Sequence, residues 1–577
     1  MTNAEIARLF GEIADMLDIL GEDRFRVISY ARAARQIESL TGDVEALVRA
    51  GRLGEVAGIG PALSEKIAEF VATGRIGVHE ELRTKFPPGV LDLLAIRGVG
   101  PKKVRLLWQD LGITTLEDLE AAARQRRLRR VKGFGEKTEE NLLRAIELHR
   151  QGMTRALLWD AAALVDRFIA HLRSAAPLDR VEPVGSFRRM RETVGDVDIL
   201  VTTSDPKAVV AAFTSAPGVR EVLAEGEVKS SVLVEYVGYV DDRSRMFQVD
   251  LQVLKPESWG AGLQYFTGSK DHNILLRAMA ERRGMKLNEY GVFRGEARIA
   301  GATEEEVYAA LGLPWIPPEL REDSGEVDAA LAGGLPQLLE GRDIRGEFHV
   351  HTDATDGTEP IETMVDCARR LGYGYVGISD HSVSATVAFG LTADKALERR
   401  DRVRALNREL DGFAVLLGTE CDILYGGAMD YPDEVLREFD FAIAAVHSKF
   451  TLPEKEQTAR IVAAVENPHV NILAHPTTRK IGVRDPIHVD LDAVFAACAR
   501  AGTAVEINAY PDRMDVTAVQ ARAANRAGCR IAVDTDSHAS SELEAMRFGV
   551  GTARRAWLTP DDVVNAWPLD RVRATFR

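Results

Sequence analysis

The sequence has few cysteines, no long apolar run and no excess of positive charge, and each absence excludes a class of protein. The four cysteines among 577 residues form no C-x-x-C pair, which argues against zinc knuckles and a disulfide framework. Scattered, reduced thiols are typical of a cytoplasmic protein. No apolar run approaches the roughly 20 residues that a membrane-spanning helix needs, and the N-terminus lacks a basic-then-apolar signal pattern. We therefore expect a cytoplasmic chain without membrane contact.

The formal net charge is −15, from 73 Lys plus Arg against 88 Asp plus Glu, and this total argues against a protein that coats nucleic acid. The charge is uneven along the chain. Residues 1–150 carry 24 basic and 23 acidic side chains, whereas residues 151–344 and 345–577 each have a net charge of −8. Eight of the 12 histidines lie after residue 345. At roughly 100–200 residues per domain, the length predicts about three to five domains.

Hydrophobic periodicity divides the chain into three parts. Residues 1–150 repeat apolar side chains at three- and four-residue spacing, which predicts helices. Runs of β-branched residues over 184–201 and 228–253 predict strands, and residues 314–345 are rich in Pro and Gly, which is typical of a linker. After this segment, short apolar strands alternate with helical segments, which predicts a parallel barrel or an open α/β sheet.

The pattern apolar-x-Gly-apolar-Gly occurs three times in the first 150 residues, each time before a helix-forming segment. A Gly-x-Gly turn lets the backbone approach an anion and points the free N–H groups of the helix at it. The third glycine of a dinucleotide fingerprint and its preceding strand are missing. Three copies resemble helix–hairpin–helix DNA-binding motifs, which grip phosphate without reading bases. The predicted DNA-binding glycines are Gly58, Gly60, Gly98, Gly100, Gly133 and Gly135.

A candidate phosphate-binding loop begins at Gly185. Gly185 and Ser186 can present a backbone N–H and a hydroxyl to a triphosphate, and Arg189 can pair with a phosphate oxygen through two hydrogen bonds.

Three aspartates form a candidate metal site. Asp196 and Asp198 flank one residue on a predicted strand, so both carboxylates lie on one face and can bind Mg²⁺. Asp250, on a neighbouring predicted strand, would complete a two-metal site for phosphoryl transfer. A Gly-Ser pair followed by Asp-x-Asp at this spacing is the nucleotidyltransferase pattern, which tailing enzymes and aminoglycoside nucleotidyltransferases share.

Residues 185–198 match, without gaps, the active-site signature of the family X DNA polymerases, the family of DNA polymerase beta, and the resemblance continues through residues 265–290. It implies a tyrosine–phenylalanine steric gate against ribose, an asparagine that contacts the incoming base and an arginine near the templating position. The three hairpins and the Tyr-Phe-Thr-Gly-Ser segment favour a templated DNA substrate. The nucleotide-binding residues that the resemblance implies are Arg155, Gly185, Ser186, Arg189, Gly195, Tyr265, Phe266, Gly268, Asn273 and Arg277.

Three further positions bear on the resemblance to this family. Lys66 matches the deoxyribose-phosphate lyase nucleophile within an unbroken match over residues 58–74, and a lysine there can attack an aldehyde or simply hold phosphate. The family often places arginines two residues either side of the third aspartate, where this sequence has Gln248 and Gln252.

The histidine-rich last third carries imidazoles and carboxylates at or just beyond predicted strand ends. Ligands at the C-terminal ends of barrel strands converge on one mouth, and a mixed set of this kind suits Zn²⁺, Mn²⁺ or Fe²⁺. The set resembles that of the PHP (polymerase and histidinol phosphatase) domain, which implies a distorted seven-stranded α/β barrel, a trinuclear metal centre and phosphoester hydrolysis. The nine ligands so implied are His349, His351, Asp356, His381, Glu420, His447, His475, Asp536 and His538.

The resemblance to bacterial family X polymerases with a C-terminal PHP domain covers nearly the whole chain. It implies a multidomain fold with a helical helix–hairpin–helix N-terminal region, an α+β nucleotidyltransferase palm and thumb, and a C-terminal distorted α/β (βα)7 PHP barrel. The expected domains are a helical DNA-binding, lyase-like domain (1–85), a helical fingers-type domain (86–150), the palm (151–258), a nascent-pair-binding thumb (259–316), a linker (317–344) and the PHP domain (345–577).

The expected function is short gap filling in DNA repair by a monomer that uses gapped or primed DNA, deoxynucleoside triphosphates and Mg²⁺ or Mn²⁺. The barrel, with two or three Mn²⁺, Zn²⁺ or Fe ions, is expected to act on DNA 3′ ends as a 3′→5′ exonuclease, a 3′-phosphatase or an abasic endonuclease. Two alternatives stay open: a DNA-end-binding scaffold with inactive sites, and a small-molecule phosphatase fused to the polymerase.

Overall fold

The change from helical to mixed structure near residue 150 coincides with a division of the chain into two units, Met1–Thr154 and Arg155–Arg577. The structure is a computed structural model, and it describes residues 3–38, 44–56, 59–96, 99–130, 134–136, 138–139, 142–143, 146, 155–240 and 243–576. Gly58, Gly98 and Gly133 lie outside these ranges. No helix within them is long and apolar enough to cross a membrane.

The first unit consists of helices and loops in its described part, which confirms the helices predicted from the hydrophobic periodicity. Apolar residues at helical spacing bury one continuous core that includes Phe10, Phe70 and Leu107. This core runs across residue 85, so both expected helical domains contribute to it. The helices are Asn3–Leu20, Arg24–Glu38, Val44–Arg49, Pro61–Thr73, Gly77–Arg83, Pro101–Leu111 and Leu116–Arg124.

A five-stranded sheet forms the centre of residues 155–258, the expected palm. The strands of this region are β1 (Ala156–Leu157), β2 (Arg180–Pro183), β3 (Thr193–Val194), β4 (Val197–Thr202), β5 (Val219–Ala224), β6 (Lys229–Val237) and β7 (Ser244–Val253). Their order in the sheet is β2-β4-β7-β6-β5, while β1 pairs with β3 separately. The pair β4 and β7 is parallel, and its neighbours are antiparallel. The helices are Leu158–Ala175, Gly185–Arg188 and Pro206–Thr214.

The thumb combines helices Trp259–Thr267, Lys270–Arg282 and Glu304–Ala310 with a small antiparallel sheet of β8 (Lys286–Asn288), β9 (Gly291–Arg294) and β10 (Ala297–Ala300).

The expected linker 317–344 is packed over much of its length. It includes the helix Glu326–Leu331, and Leu320 and Val327 join the thumb core. The Pro and Gly residues that predict a linker thus form turns between buried apolar anchors.

Seven parallel strands in sequence order form the C-terminal barrel, which confirms the predicted fold class. The N–H of His351, just beyond the first strand, donates to the carbonyl of Ser537, just beyond the last, at 2.9 Å and brings the two edges together. The strands are β11 (Gly346–Glu347), β12 (Tyr375–Ile378), β13 (Ala414–Asp422), β14 (Phe441–Ala445), β15 (Ile472–Leu473), β16 (Ala504–Asn508) and β17 (Ile531–Asp534). The helices are Ile361–Arg370, Ala393–Glu409, Asp433–Leu436, Glu454–Val465, Leu491–Ala501, Ala518–Arg526, Met546–Arg555 and Leu569–Thr575.

The palm and the barrel share a hydrophobic core. Met514, Ala545 and Phe548 of the barrel belong to the same buried cluster as Val249 and Phe213 of the palm. Gly551, on the barrel helix Met546–Arg555, lies so close to the palm that a Cβ atom there would come within 2.7 Å of a methionine side chain of the phosphate loop. The second unit is therefore one packed body.

Candidate active sites

Two hairpins of the first unit have the same geometry. Ile59 and Val99 are buried, and the N–H of each donates to a carbonyl three residues earlier at 3.0 Å. The next residues, Gly60 and Gly100, are exposed and cap helices that begin with proline. Their φ angles of −82° and −91° suit any residue, and a Cβ atom on either would meet nothing within 4 Å. The fold itself does not need glycine at these two positions. We infer that glycine is there because it leaves the backbone open to close approach by a ligand.

The phosphate loop needs glycine at its first position. Gly185, the first residue of the helix Gly185–Arg188, has a φ of +73°, and a Cβ atom there would also come within 3.4 Å of the Asp198 carboxylate. Arg155 donates to Thr193 Oγ1 at 2.7 Å and lies against Gly195, where a Cβ atom would be 3.5 Å from its guanidinium. The structure thus brings Arg155 next to the loop that leads into β4.

Strand register places two of the three candidate carboxylates side by side. Asp198 on β4 pairs with Asp250 on β7, and Asp196 immediately precedes β4. Both oxygens of Asp250 are engaged by polar side chains: Gln248 Nε2 donates to Oδ1 at 2.6 Å, and Lys229 Nζ lies 3.1 Å from Oδ2. Gln248 therefore contacts the aspartate from the position where the family often has an arginine.

Arg189, the expected triphosphate ligand, contacts protein groups in this structure. Its Nε donates to Glu322 Oε1 at 3.0 Å, and its Nη1 donates to the carbonyl of Thr267. Arg555 of the barrel donates to the same Glu322 oxygen at 2.9 Å and to the Arg189 carbonyl at 2.8 Å. A carboxylate between two arginines thus joins the phosphate loop to the barrel.

The neighbouring Arg188 has a structural role that the sequence did not predict. It makes a two-point contact with Glu304, at 2.9 Å for each oxygen, and the fully buried Arg321 contacts the same carboxylate at 2.6 Å. Burial disfavours the charged carboxylate, but the two guanidinium groups outweigh it and lower the pKa of Glu304 to about 2. This cluster anchors the thumb to the palm.

The residues expected to contact the nascent base pair lie together on two successive thumb helices. Tyr265 and Phe266 pack edge to face, with ring centroids 5.1 Å apart. The amide of Asn273 donates to the Tyr265 carbonyl at 2.7 Å, and Arg277 donates to the Asn273 carbonyl at 3.2 Å. Gly268, between the helices, has a φ of +74°. The turn therefore holds the tyrosine and the asparagine next to each other.

Lys66 lies on the helix Pro61–Thr73, directly after the first hairpin. Its Nζ is 3.8 Å from Glu69 Oε2, and about a third of the side chain is exposed (31%). A half-buried amine next to a carboxylate suits either a Schiff-base nucleophile or a phosphate contact.

The nine predicted ligands of the C-terminal domain converge at the mouth of the barrel. Glu420, which is fully buried, lies at the centre, within 3.5 Å of five imidazoles. Three overlapping groups have ligand atoms within 4.8 Å of one another: His351, Asp356, His381 and His538; His349, His351, Glu420 and Asp536; and His381, Glu420 and His447. His475 joins them through its Nε2, which is 2.9 Å from Glu420 Oε1.

The chemistry of this cluster fits metal ions. Six of the nine side chains have a buried nitrogen or oxygen without a hydrogen-bond partner in the structure, and a buried polar atom normally has one. Burial and the neighbouring His381 and His538 lower the pKa of His351 to about 3, so this imidazole is neutral and keeps a lone pair for a metal. Burial opposes ionisation of Glu420, but the surrounding His447 and His349 hold its pKa well below the usual range.

Two carboxylates that orient the histidines were not predicted from the sequence. Glu506 Oε1 lies 2.6 Å from His349 Nδ1, and Asp422 Oδ1 lies 2.7 Å from His447 Nδ1, so in each ring Nε2 is directed to the site. Asp380, next to His381, and Asp534, two residues before Asp536, instead accept backbone N–H groups at 2.8 Å.

Four family models match the chain. They are a Helix-hairpin-helix domain over residues 1–76, a SAM-like Helix-hairpin-helix tandem over 90–147, a DNA polymerase beta thumb over 262–322 and a PHP domain over 347–478.

Relatives among known proteins extend these matches to the whole chain. The DNA polymerase/3′-5′ exonuclease PolX of Bacillus subtilis (strain 168) is 34% identical over 580 residues, and the alignment covers 100% of both chains. The chain belongs to the PolX family. DNA polymerase lambda of Arabidopsis thaliana is 28% identical over 346 residues, which are 55% of this chain and 62% of that protein. DNA polymerase lambda of Rattus norvegicus is 26% identical over 344 residues, 56% of each chain.

In this PolX family member the barrel extends beyond the matched PHP segment, which ends at residue 478. Asp536 and His538 lie after this limit, and strand β17 places them within the same ligand groups as His351. The last two strands therefore complete the site that the first five begin.

Proposed function

We propose that this chain is a DNA-directed DNA polymerase that fills short gaps in DNA repair, with a metal-dependent 3′→5′ exonuclease in its C-terminal barrel. The observation that carries the proposal is the presence of two separate polar sites. One is the phosphate loop beside Asp198 and Asp250, and the other is the cluster around Glu420. The full length of the chain aligns with a protein named DNA polymerase/3′-5′ exonuclease PolX. Backbone capture of phosphate by the hairpins would hold the DNA, which we expect to be gapped or primed.

At the polymerase site we assign Asp196, Asp198 and Asp250 to hold Mg²⁺ or Mn²⁺, which supplies charge stabilisation for in-line phosphoryl transfer when bound. Ser186 and Arg189 hold the triphosphate of the incoming deoxynucleotide. Arg189 exchanges its contact with Glu322 for a phosphate oxygen, while Arg555 keeps the carboxylate paired. We expect the enzyme to act as a monomer.

At the barrel site the nine ligands hold two or three Mn²⁺, Zn²⁺ or Fe ions, which activate water for phosphoester hydrolysis when bound. Glu506 and Asp422 keep the Nε2 atoms of His349 and His447 aimed at the site. The proposed substrates are DNA 3′ ends, 3′ phosphates and internal abasic sites.

A pair of single substitutions tests the two-site proposal. Purified Asp198→Ala is expected to lose nucleotide incorporation on a gapped, 5′-labelled primer while it still degrades the primer in Mn²⁺. His349→Ala is expected to do the reverse, and each variant is the control for the other. Loss of both activities through either change would disprove two independent sites.

We also propose that Lys66 forms a Schiff base with the sugar of an incised abasic site. Borohydride is expected to trap the wild type on such DNA and to trap Lys66→Ala far less. Lys85→Ala is the matched control, since Lys85 also lies next to a glutamate, at 3.1 Å, in the same unit. Equal trapping of wild type and Lys66→Ala would assign Lys66 to phosphate binding instead.

A further inference from the structure

A tyrosine of the palm reaches the mouth of the C-terminal barrel. Tyr239 follows strand β6, and its backbone N–H donates to Asp160 Oδ1 at 3.1 Å. Its ring packs edge-on against Trp159, with centroids 5.8 Å apart, and Trp159 packs in the same way against Phe548 of the barrel. Palm side chains thus fix Tyr239 where the two domains meet.

The hydroxyl of Tyr239 contacts the barrel segment that carries His538. It donates to Glu542 Oε1 at 2.5 Å and lies 3.0 Å from the hydroxyl of Tyr510. The other oxygen of Glu542 accepts the N–H groups of His538 at 2.7 Å and Ala539 at 3.1 Å. One carboxylate therefore joins a palm hydroxyl to the backbone of a proposed metal ligand.

The direction of the His538 ring depends on this turn. Its Nδ1 lies 2.7 Å from the carbonyl of Asp536, which leaves Nε2 at 3.3 Å from Asp356 within one ligand group. The ring of Tyr510 packs edge-on against it at 5.8 Å. A shift of Glu542 would move the backbone of His538. The metal affinity and the activity of a site depend on such contacts around its ligands.

We propose that Tyr239 is a positioning residue for the nuclease, so that the polymerase palm sets the geometry of a metal ligand in the barrel. The inference rests on the proposed phosphoesterase function of that site. Without the hydroxyl, Glu542 loses a hydrogen bond to its charged group and the turn 536–539 becomes less well fixed. The palm then acts on hydrolysis through Glu542, without contact with the substrate.

Tyr239→Phe in the full-length protein tests this inference. We expect the kcat of Mn²⁺-dependent degradation of a labelled single strand to fall about 10-fold, with the KM for DNA unchanged and with less Mn²⁺ bound per chain by elemental analysis. Glu542→Gln should have a similar effect, and incorporation by both variants in Mg²⁺ should equal that of the wild type. Tyr425→Phe is the matched control, because it removes a barrel hydroxyl that contacts Glu456 at 3.3 Å.

Equal kcat and equal Mn²⁺ content in Tyr239→Phe and wild type would overturn the inference, as would a change confined to KM. An equal loss in Tyr425→Phe would also overturn it. A wild type that binds Mn²⁺ but degrades no DNA would refute the proposed nuclease function instead, and the Mn²⁺ content of the variants would still decide the role of Tyr239.

Discussion

A buried carboxylate from one strand holds the ring of His349 from another. Glu506 is fully buried on β16, and its Oε1 contacts His349 Nδ1 while its Oε2 accepts the N–H of His475 at 2.6 Å. A single side chain therefore fixes the tautomer of one proposed ligand and the backbone of a second, which makes it central to the barrel site.

Glu506→Gln is expected to reduce nuclease activity and the Mn²⁺ content of the purified protein by about 10-fold. The amide keeps the size of the side chain but removes the charge that makes His349 a stronger ligand. Degradation of a labelled primer and elemental analysis would measure both effects. The exposed Glu544→Gln serves as the control, and unchanged metal content in Glu506→Gln would contradict this role.

The nine proposed ligands can be predicted from the sequence, whereas Glu506 and Asp422 cannot, and the reason is physical. These residues follow strand ends and include six of the eight histidines after residue 345, so composition and position both mark them. Glu506 lies inside the apolar run of β16, and its partner His349 is 157 residues away. Only the closed order of the strands brings the two together, and no local pattern contains that information.

The helix–hairpin–helix elements combine buried apolar anchors with exposed glycines. Ile59 and Val99 account for the stability of the turns, while Gly60 and Gly100 contribute open backbone. Folding and DNA binding therefore depend on different residues of the same short element.

We expect Gly60→Ala combined with Gly100→Ala to leave the thermal stability of the protein nearly unchanged but to weaken DNA binding. Loss of close backbone contacts to two phosphates should lower the affinity at each salt concentration, since phosphate contacts supply the sequence-independent part of binding. Titration of fluorescent gapped DNA at several salt concentrations measures this affinity. Gly11→Ala, at another glycine with nothing within 4 Å of a Cβ atom, should bind like the wild type. Unaltered binding by the double variant would exclude these hairpins as the phosphate contacts.

The attachment of the thumb to the palm depends on an ionised Glu304. Its folded-state pKa of about 2 is below the ordinary value of 4.5, so its contribution is fully present above pH 4.5 and is lost as the pH falls towards 2. The shift corresponds to about 3 kcal/mol. In urea unfolding, the difference in unfolding free energy between wild type and Glu304→Gln should therefore shrink as the pH falls through this range. The exposed neighbour Glu305→Gln should show no such trend, and a constant difference for Glu304→Gln would refute the assignment.

The helices of the first unit and the strand–helix alternation of the barrel agree with the prediction from the sequence. Strand β16 (Ala504–Asn508) is one of the short strands that the sequence predicts to alternate with helices after the Pro- and Gly-rich segment. The segment 317–344 shows where composition is insufficient. Its Pro and Gly residues are typical of a linker, but Leu320, Val327 and Leu338 lie buried in the thumb core, and burial of these side chains depends on tertiary contacts.

The hydrophobic core that the palm and the barrel share couples the stability of one to the stability of the other. Metal bound at the barrel should stabilise the palm as well, by about 2.7 kcal/mol at a concentration 100-fold above Kd. We expect Mn²⁺ to slow the heat inactivation of nucleotide incorporation in the wild type, measured in Mg²⁺ after removal of Mn²⁺. His349→Ala should lose most of this protection. Equal protection of both proteins would show that the barrel does not transmit its stability to the palm.

The overall negative charge of the chain first argues against a nucleic-acid partner, but the arrangement of the charges removes that objection. The hairpin unit is nearly neutral, and it offers backbone groups that a count of charges ignores. Many of the acidic side chains in the second unit contact imidazoles or arginines, as Glu420 and Glu322 do.

The shared core also has a consequence for synthesis of the protein on the ribosome. The palm strands emerge first, and Met514, Ala545 and Phe548, which fill part of their core, are translated only after them. The palm core stays incomplete until the barrel has emerged. A chain that is truncated before β17 lacks two of the nine proposed ligands, Asp536 and His538, and also Ala545 and Phe548 of the shared core. A single nascent chain thus acquires the complete form of both sites at nearly the same time.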